Sequence, residues 1–272
     1  MNSITSIIKR HPQVTFWGIA WITAFVAQYM NAKDPDHPWL FLLYGTFLGG
    51  ILVTAIADGG KGLKTFFSRI VRWRAGIQWY AVALLLPFAL RLVAFWMTNA
   101  SAVTPANIHW PVWTDLFIIF LWPNFLGIAL AEEPALRGFA LTRLMNGRSA
   151  LTASLILGAL HSIWHLGLFI TGQDSPMTIL IIFAGAIINT WLFNHTNGSV
   201  LLTMLLHASV DLTADLFNPA FTGADATRQA ILLVVLYVAV GILLPILAGK
   251  ELGRKPEAVM DAIAAEQPMM AD

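Results

Sequence analysis

Three compact groups of ionisable side chains interrupt stretches of this chain that are otherwise apolar. Glu132, Glu133 and Arg137 lie in AEEPALRGFALTRL, His161 and His165 in LILGALHSIWHLGLF, and His207, Asp211 and Asp215 in LLTMLLHASVDLTADLF. An ionised group in hydrocarbon costs several kcal/mol by most estimates, so such residues face a protein interior and serve a pathway or a reaction. Carboxylates, an arginine and paired histidines are the components of proton transfer and of hydrolysis by an activated water.

The spacing within each group is helical. Residues four apart stand one above the other on a helix face, which pairs Glu133 with Arg137, His161 with His165 and His207 with Asp211; Asp215 extends the last stripe by a turn. Glu132 and Glu133 point about 100° apart, so at most one of them points squarely into a common site and the other pairs with Arg137. Pro134 removes a backbone donor in the same turn and distorts the helix. Around the Asn146-Gly147 turn, Glu132 precedes Asn146 by 14 residues and His161 follows Gly147 by 14. At 1.5 Å per residue both lie about 20 Å from the turn, so the carboxylates and histidines can meet at one depth. Asp115 and Arg91 read as polar residues near a membrane interface, outside this group.

The elements that carry these residues read as membrane helices. Of 272 residues, 57% are hydrophobic and 11% charged, far below the roughly 25% charged residues of soluble domains. Eight apolar stretches are long enough to span a bilayer, at about 20 residues each: 13–31, 39–57, 77–97, 113–136, 150–171, 176–194, 199–218 and 229–248. The expected fold class is therefore all-α, a polytopic membrane protein of about eight transmembrane helices. A single transmembrane domain at 13–250 is flanked by a polar N-terminal end at 1–12 and a polar tail at 251–272. Lysine and arginine crowd one side: Lys9 and Arg10, five residues from Lys61 to Arg74, Arg137, Arg143 and Arg148, and Lys250, Arg254 and Lys255. Positive charge marks the cytoplasmic face, so both termini are expected there. The basic stretch 58–76, with Phe66, Phe67 and Trp73, reads as an amphipathic helix at the headgroup level. There is no cysteine, which removes disulfides and thiol nucleophiles.

At these residues the chain resembles the CAAX protease and bacteriocin-processing family of intramembrane proteases, which includes the type II CAAX prenyl endopeptidases. Glu132, Glu133 and Arg137 match its Glu-Glu-x-x-x-Arg motif. His165, in the Trp-His-Leu context, matches its second motif, with His161 where an aromatic residue normally stands. His207 and Asp211 match the third, following the stretch 191–199 (WLFNHTNGS). The resemblance spans about 115–215. It implies an endopeptidase in which Glu132 and His165 activate a water, His207 and Asp211 face the oxyanion, and Glu133, Arg137 and His161 support them. Asp211 replaces the commoner asparagine, so it orients His207 or is protonated.

No cofactor is favoured. The alternative is Zn²⁺ held by Glu132, His165 and His207, two nitrogens and an oxygen with a position left for water. The expected partners are the lipid bilayer and a membrane-associated or lipidated peptide, with no nucleic acid; the expected location is a bacterial inner membrane. Two other functions use the same residues: a non-catalytic membrane scaffold or bacteriocin-immunity factor, and a proton-coupled transporter whose Glu, Asp and His are relay groups.

Overall fold

The structure is a computed structural model and describes residues 3–34, 40–98, 108 and 111–255. The described residues are all helix, turn and irregular chain, without strands. The helices are α1 (Ser3–Arg10), α2 (Pro12–Lys33), α3 (Tyr44–Ile70), α4 (Ile77–Thr98), α5 (Trp113–Leu144), α6 (Ala150–Trp164), α7 (Leu166–Ile170), α8 (Thr178–His195), α9 (Val200–Phe217) and α10 (Gly223–Ala248). Much of the expected tail and most of the loop 98–112 lie outside the described residues.

Among the described residues six helices are long and apolar enough to cross a bilayer: α3 with the preceding turn, α4, α5, α8, α9 and α10. This is an integral membrane protein. Two of the eight expected stretches fall short of that standard. α2 is 22 residues long, but Gln13, Thr15, Thr23 and Gln28 dilute its apolar character. The stretch 150–171 is divided, because α6 stops at Trp164 and α7 restarts at Leu166.

α5 is the axis of the site. It packs against α3, α6 and α9, while α9 also packs on α4 and α8 on both α6 and α10. Every residue from Ala131 to Leu141 is buried. Close approach to α3 is permitted by Gly50, where a Cβ would stand 3.0 Å from that of Ala135. Small residues let membrane helices approach in this way, since lipid supplies little apolar driving force between them.

α5 is also irregular. It begins as α-helix at Trp113–Ile119 and widens into π-helix at Phe120–Ala129. It returns to α for one turn at Leu130–Glu133, widens again at Pro134–Leu141 and ends as α at Thr142–Leu144. Pro123 and Pro134 lie in the widened segments. Proline lacks the N–H that an i→i−4 ladder needs, and widened turns of this type recur at functional sites. The Glu132-Glu133 pair occupies the short α turn between them.

The basic stretch is mostly a continuation of α3. Gly59 takes φ 66°, ψ −157° and breaks the ladder; beyond it the helix runs on to Ile70. Phe66 is buried there, with its ring centroid 6.1 Å from that of Phe47, while Lys61, Lys64 and Phe67 are exposed.

Candidate active site

The turn between α5 and α6 lets the chain reverse, with Gly147 at φ 66°. Ser149 then caps α6, its hydroxyl accepting the Thr152 N–H, as an N-cap serine does. Ser199 caps α9 in the same manner through Leu202 N–H. These two starts set the register of the histidine-bearing helices against α5.

Both glutamates reach histidines, and different ones. His161 Nε2 is 3.1 Å from Glu132 Oε2. His207 Nδ1 is 2.8 Å from Glu133 Oε1, the same oxygen that accepts Arg137 Nη1 at 2.6 Å. Glu132, Glu133 and Arg137 are each 3% exposed or less, and His161 8%. Burial of such charges is tolerable only when they are paired and hydrogen-bonded. Even so, Glu133 Oε2 and Arg137 Nε have no hydrogen-bond partner among the described residues.

Asp211 lies one turn beyond His207 on α9, its Oδ2 3.5 Å from His207 Nε2. The His207 ring therefore spans two carboxylates, one at each nitrogen. Asp215 is exposed on the same stripe and accepts from Asn124 Nδ2 at 3.1 Å.

His165 is placed differently from the expected partnership with Glu132. It sits at the break between α6 and α7 with φ −80°, ψ −4°, and its Nδ1 donates to the His161 carbonyl at 3.1 Å. Its ring stands edge-on to His161, centroids 4.7 Å apart at 71°, and stacks on Phe169 at 6.2 Å. His161, the residue at the motif's aromatic position, is the one whose ring bonds Glu132. Nδ1 of His165 being engaged, Nε2 is the nitrogen left for a ligand.

Neutral polar residues that the sequence does not single out complete the frame. Trp164 Nε1 donates to Thr46 Oγ1 at 3.0 Å, and Gln28 Nε2 donates to the Trp164 carbonyl at 3.0 Å. Together they tie the end of α6 to α2 and α3, next to both histidines. Asn124, buried in the first widened segment of α5, is a further polar group; its signal was an amide inside the apolar run FLWPNFLG.

The zinc set Glu132, His165 and His207 fits poorly with this geometry. Glu132 is engaged by His161 and His207 by Glu133, and among the described residues no three His, Asp or Glu side chains converge as metal ligands. What the arrangement offers instead is two buried carboxylate–histidine pairs side by side, able to take and return protons.

Asp115 is exposed, as expected of an interfacial residue. Arg91 is buried and donates to Asn218 Oδ1 at 2.8 Å.

No curated protein matches the chain. A family model matches residues 113–213, from the first residue of α5 through Glu132, Glu133, Arg137, His161, His165, His207 and Asp211, and the family is described as Type II CAAX prenyl endopeptidase Rce1-like.

Proposed function

We propose that the protein is an intramembrane endopeptidase of the CAAX type, hydrolysing a peptide bond in a membrane-associated or lipidated substrate with a water activated by Glu132. The observation that carries this reading is the pairing of adjacent glutamates with histidines from two other helices in one buried place. The family match over the same residues supports it.

In the proposed reaction Glu132 takes a proton from water as the oxygen attacks the scissile carbonyl carbon. His161, bonded to the carboxylate, fixes its orientation, and the neighbouring His165 offers Nε2 to water or substrate. The carbonyl oxygen becomes an oxyanion and receives a hydrogen bond from His207 Nε2, whose other nitrogen is held by Glu133. Asp211, beside that same Nε2, orients the ring and is protonated in this step, so that it does not repel the oxyanion. Collapse of the tetrahedral species breaks the C–N bond, and the proton held by Glu132 passes to the leaving amine. A general base contributes about 10²–10⁴-fold and one oxyanion donor about 10²–10³-fold, so this set accounts for a large part of a peptidase's rate.

In the same proposal the chain crosses a bacterial inner membrane with both termini in the cytoplasm, and the more polar α2 and divided α6–α7 complete eight spans within the bundle. The lysine and arginine bias of the loops supports that orientation.

The test is cleavage of a quenched, lipid-anchored peptide library by purified protein, wild type against Glu132→Gln, with fragments identified by mass. Cleavage by wild type that falls at least about 100-fold in the folded variant supports the reading. A folded wild type that cleaves nothing, or a variant as active as wild type, overturns it.

A further inference from the structure

At the end of the bundle where α3 and α5 finish and α9 begins, two cavities of about 370 Å³ and 490 Å³ adjoin. They share Thr65, Arg69, Thr142 and Asn146 as walls. The four arginines around them stand differently. Arg254 pairs with Glu251 at 2.6 Å and donates to the carbonyls of Met145 and Arg148, and Arg143 pairs with Asp58. Those two charges are matched and close the walls. Arg69 and Arg72 are not matched: Arg69 Nη1 donates to the Gly138 carbonyl at 2.8 Å, and Arg72 Nη1 to the Asn197 carbonyl. Neither has a carboxylate partner among the described residues. Exposed Lys61 lines one cavity and exposed Lys255 the other.

A guanidinium carries five N–H donors in a planar fork. Each of these two is anchored through one nitrogen to a backbone carbonyl, which fixes the fork and leaves other donors for the cavity. Two anchored forks lining one half-enclosed space repel one another until an anion joins them. A single carboxylate has two oxygens and one negative charge to share between two forks. A phosphoryl group presents more acceptor oxygens and higher charge, and bridges two. The site also lies at the level of the bundle's basic rim, where headgroups of anionic lipids concentrate. We propose that these joined cavities bind a phosphate ester, with Arg69 and Arg72 as its ligands and Lys61 and Lys255 at its mouth. Arg69, Arg72, Lys61 and Lys255 all lie outside residues 113–213, and the proposal stands whether or not the protein cleaves peptides.

The experiment measures binding to purified full-length protein in neutral detergent, at matched ionic strength in chloride. The probes are inorganic phosphate, glycerol phosphate, dioctanoyl phosphatidic acid and dioctanoyl phosphatidylglycerol. Wild type is compared with Arg69→Gln/Arg72→Gln and with Lys9→Gln/Arg10→Gln, which removes the same charge from exposed positions on α1. Saturable binding is expected, weakened about tenfold or more by loss of two charge-assisted contacts and unchanged in the α1 variant. Binding by the lipids alone identifies a headgroup as the source. Binding by the soluble esters as well identifies a free phosphate ester. If the double variant fails to fold, Lys61→Gln/Lys255→Gln replaces it, with a loss of roughly two- to fivefold expected for exposed charges. No saturable binding above the chloride control, or equal weakening in the α1 variant, overturns the proposal.

Discussion

His161 and Glu132 are 29 residues apart in the chain and 3.1 Å apart in space, whereas His165, one turn further along, turns its Nδ1 back to the His161 carbonyl. Substitutions should separate the two histidines. His161→Ala is expected to lower the rate of peptide cleavage at least about 100-fold, and His165→Ala to lower it less. Turnover of the same lipid-anchored peptide by both variants checks this; an equal or greater loss in His165→Ala would reverse the assignment.

Arg137 neutralises a carboxylate that is almost wholly inside the protein. Arg137→Ala leaves Glu133 buried beside His207 alone, and removing one partner of a buried pair typically costs about 3–5 kcal/mol. A clear fall in apparent Tm in detergent is expected. Glu133→Gln together with Arg137→Met should recover part of the loss, because the unpaired charge is gone. A double variant no more stable than Arg137→Ala would show that the pair is not what holds this region.

The α3–α5 contact gives a packing test. A Cβ on Gly50 would stand 3.0 Å from Ala135 Cβ and 3.4 Å from Ala135 Cα. Gly50→Leu should cost about 1–3 kcal/mol or more as overpacking, and it should reduce activity by shifting the turn that carries Glu132. Gly18→Leu, where nothing lies within 4 Å, serves as the control and should leave unfolding temperature unchanged.

Metal removal provides a further prediction. With Glu132 and His207 each committed to another side chain, exhaustive chelation should leave cleavage unchanged. Activity lost on chelation and restored by Zn²⁺ would require these pairs to open and regroup around an ion.

Helical spacing made much of the site legible. The Glu133–Arg137 and His207–Asp211 relations follow from residues four apart, and equal counts from the Asn146-Gly147 turn bring Glu132 and His161 to one depth. Resemblance and ideal-helix angles are the weaker guides. The choice of His165 as the partner of Glu132 comes from the motif resemblance, whereas counting puts His161 at that depth, and it is His161 that bonds Glu132 while His165 sits where α6 ends. The ideal step of about 100° allows only one of the two glutamates into the site, yet each meets a histidine from a different helix. Attention to ionisable groups passed over Thr46, Gln28 and Asn124, neutral side chains whose hydrogen bonds carry no charge pattern to betray them. The fold class was plain from composition, but the number of crossings was not. Buried Gln28 and the break at His165 make two stretches depart from the uniform apolar helix that length and hydropathy describe.

The two widened segments of α5 change what the loss of a residue would do. A π turn holds one residue more than the α ladder needs, so deleting a single residue within 120–129 could be absorbed by tightening that segment to ordinary α-helix. The helix would survive, and Glu132 and Glu133 beyond it would keep nearly their present direction. The same loss in the regular α turn at 113–119 has no spare residue to absorb it and would swing everything beyond by about 100°. That is the angular step between Glu132 and Glu133, so each carboxylate would leave its own histidine. Two deletions a few residues apart on one helix, with almost the same hydropathy profile, would thus differ in whether both pairs survive.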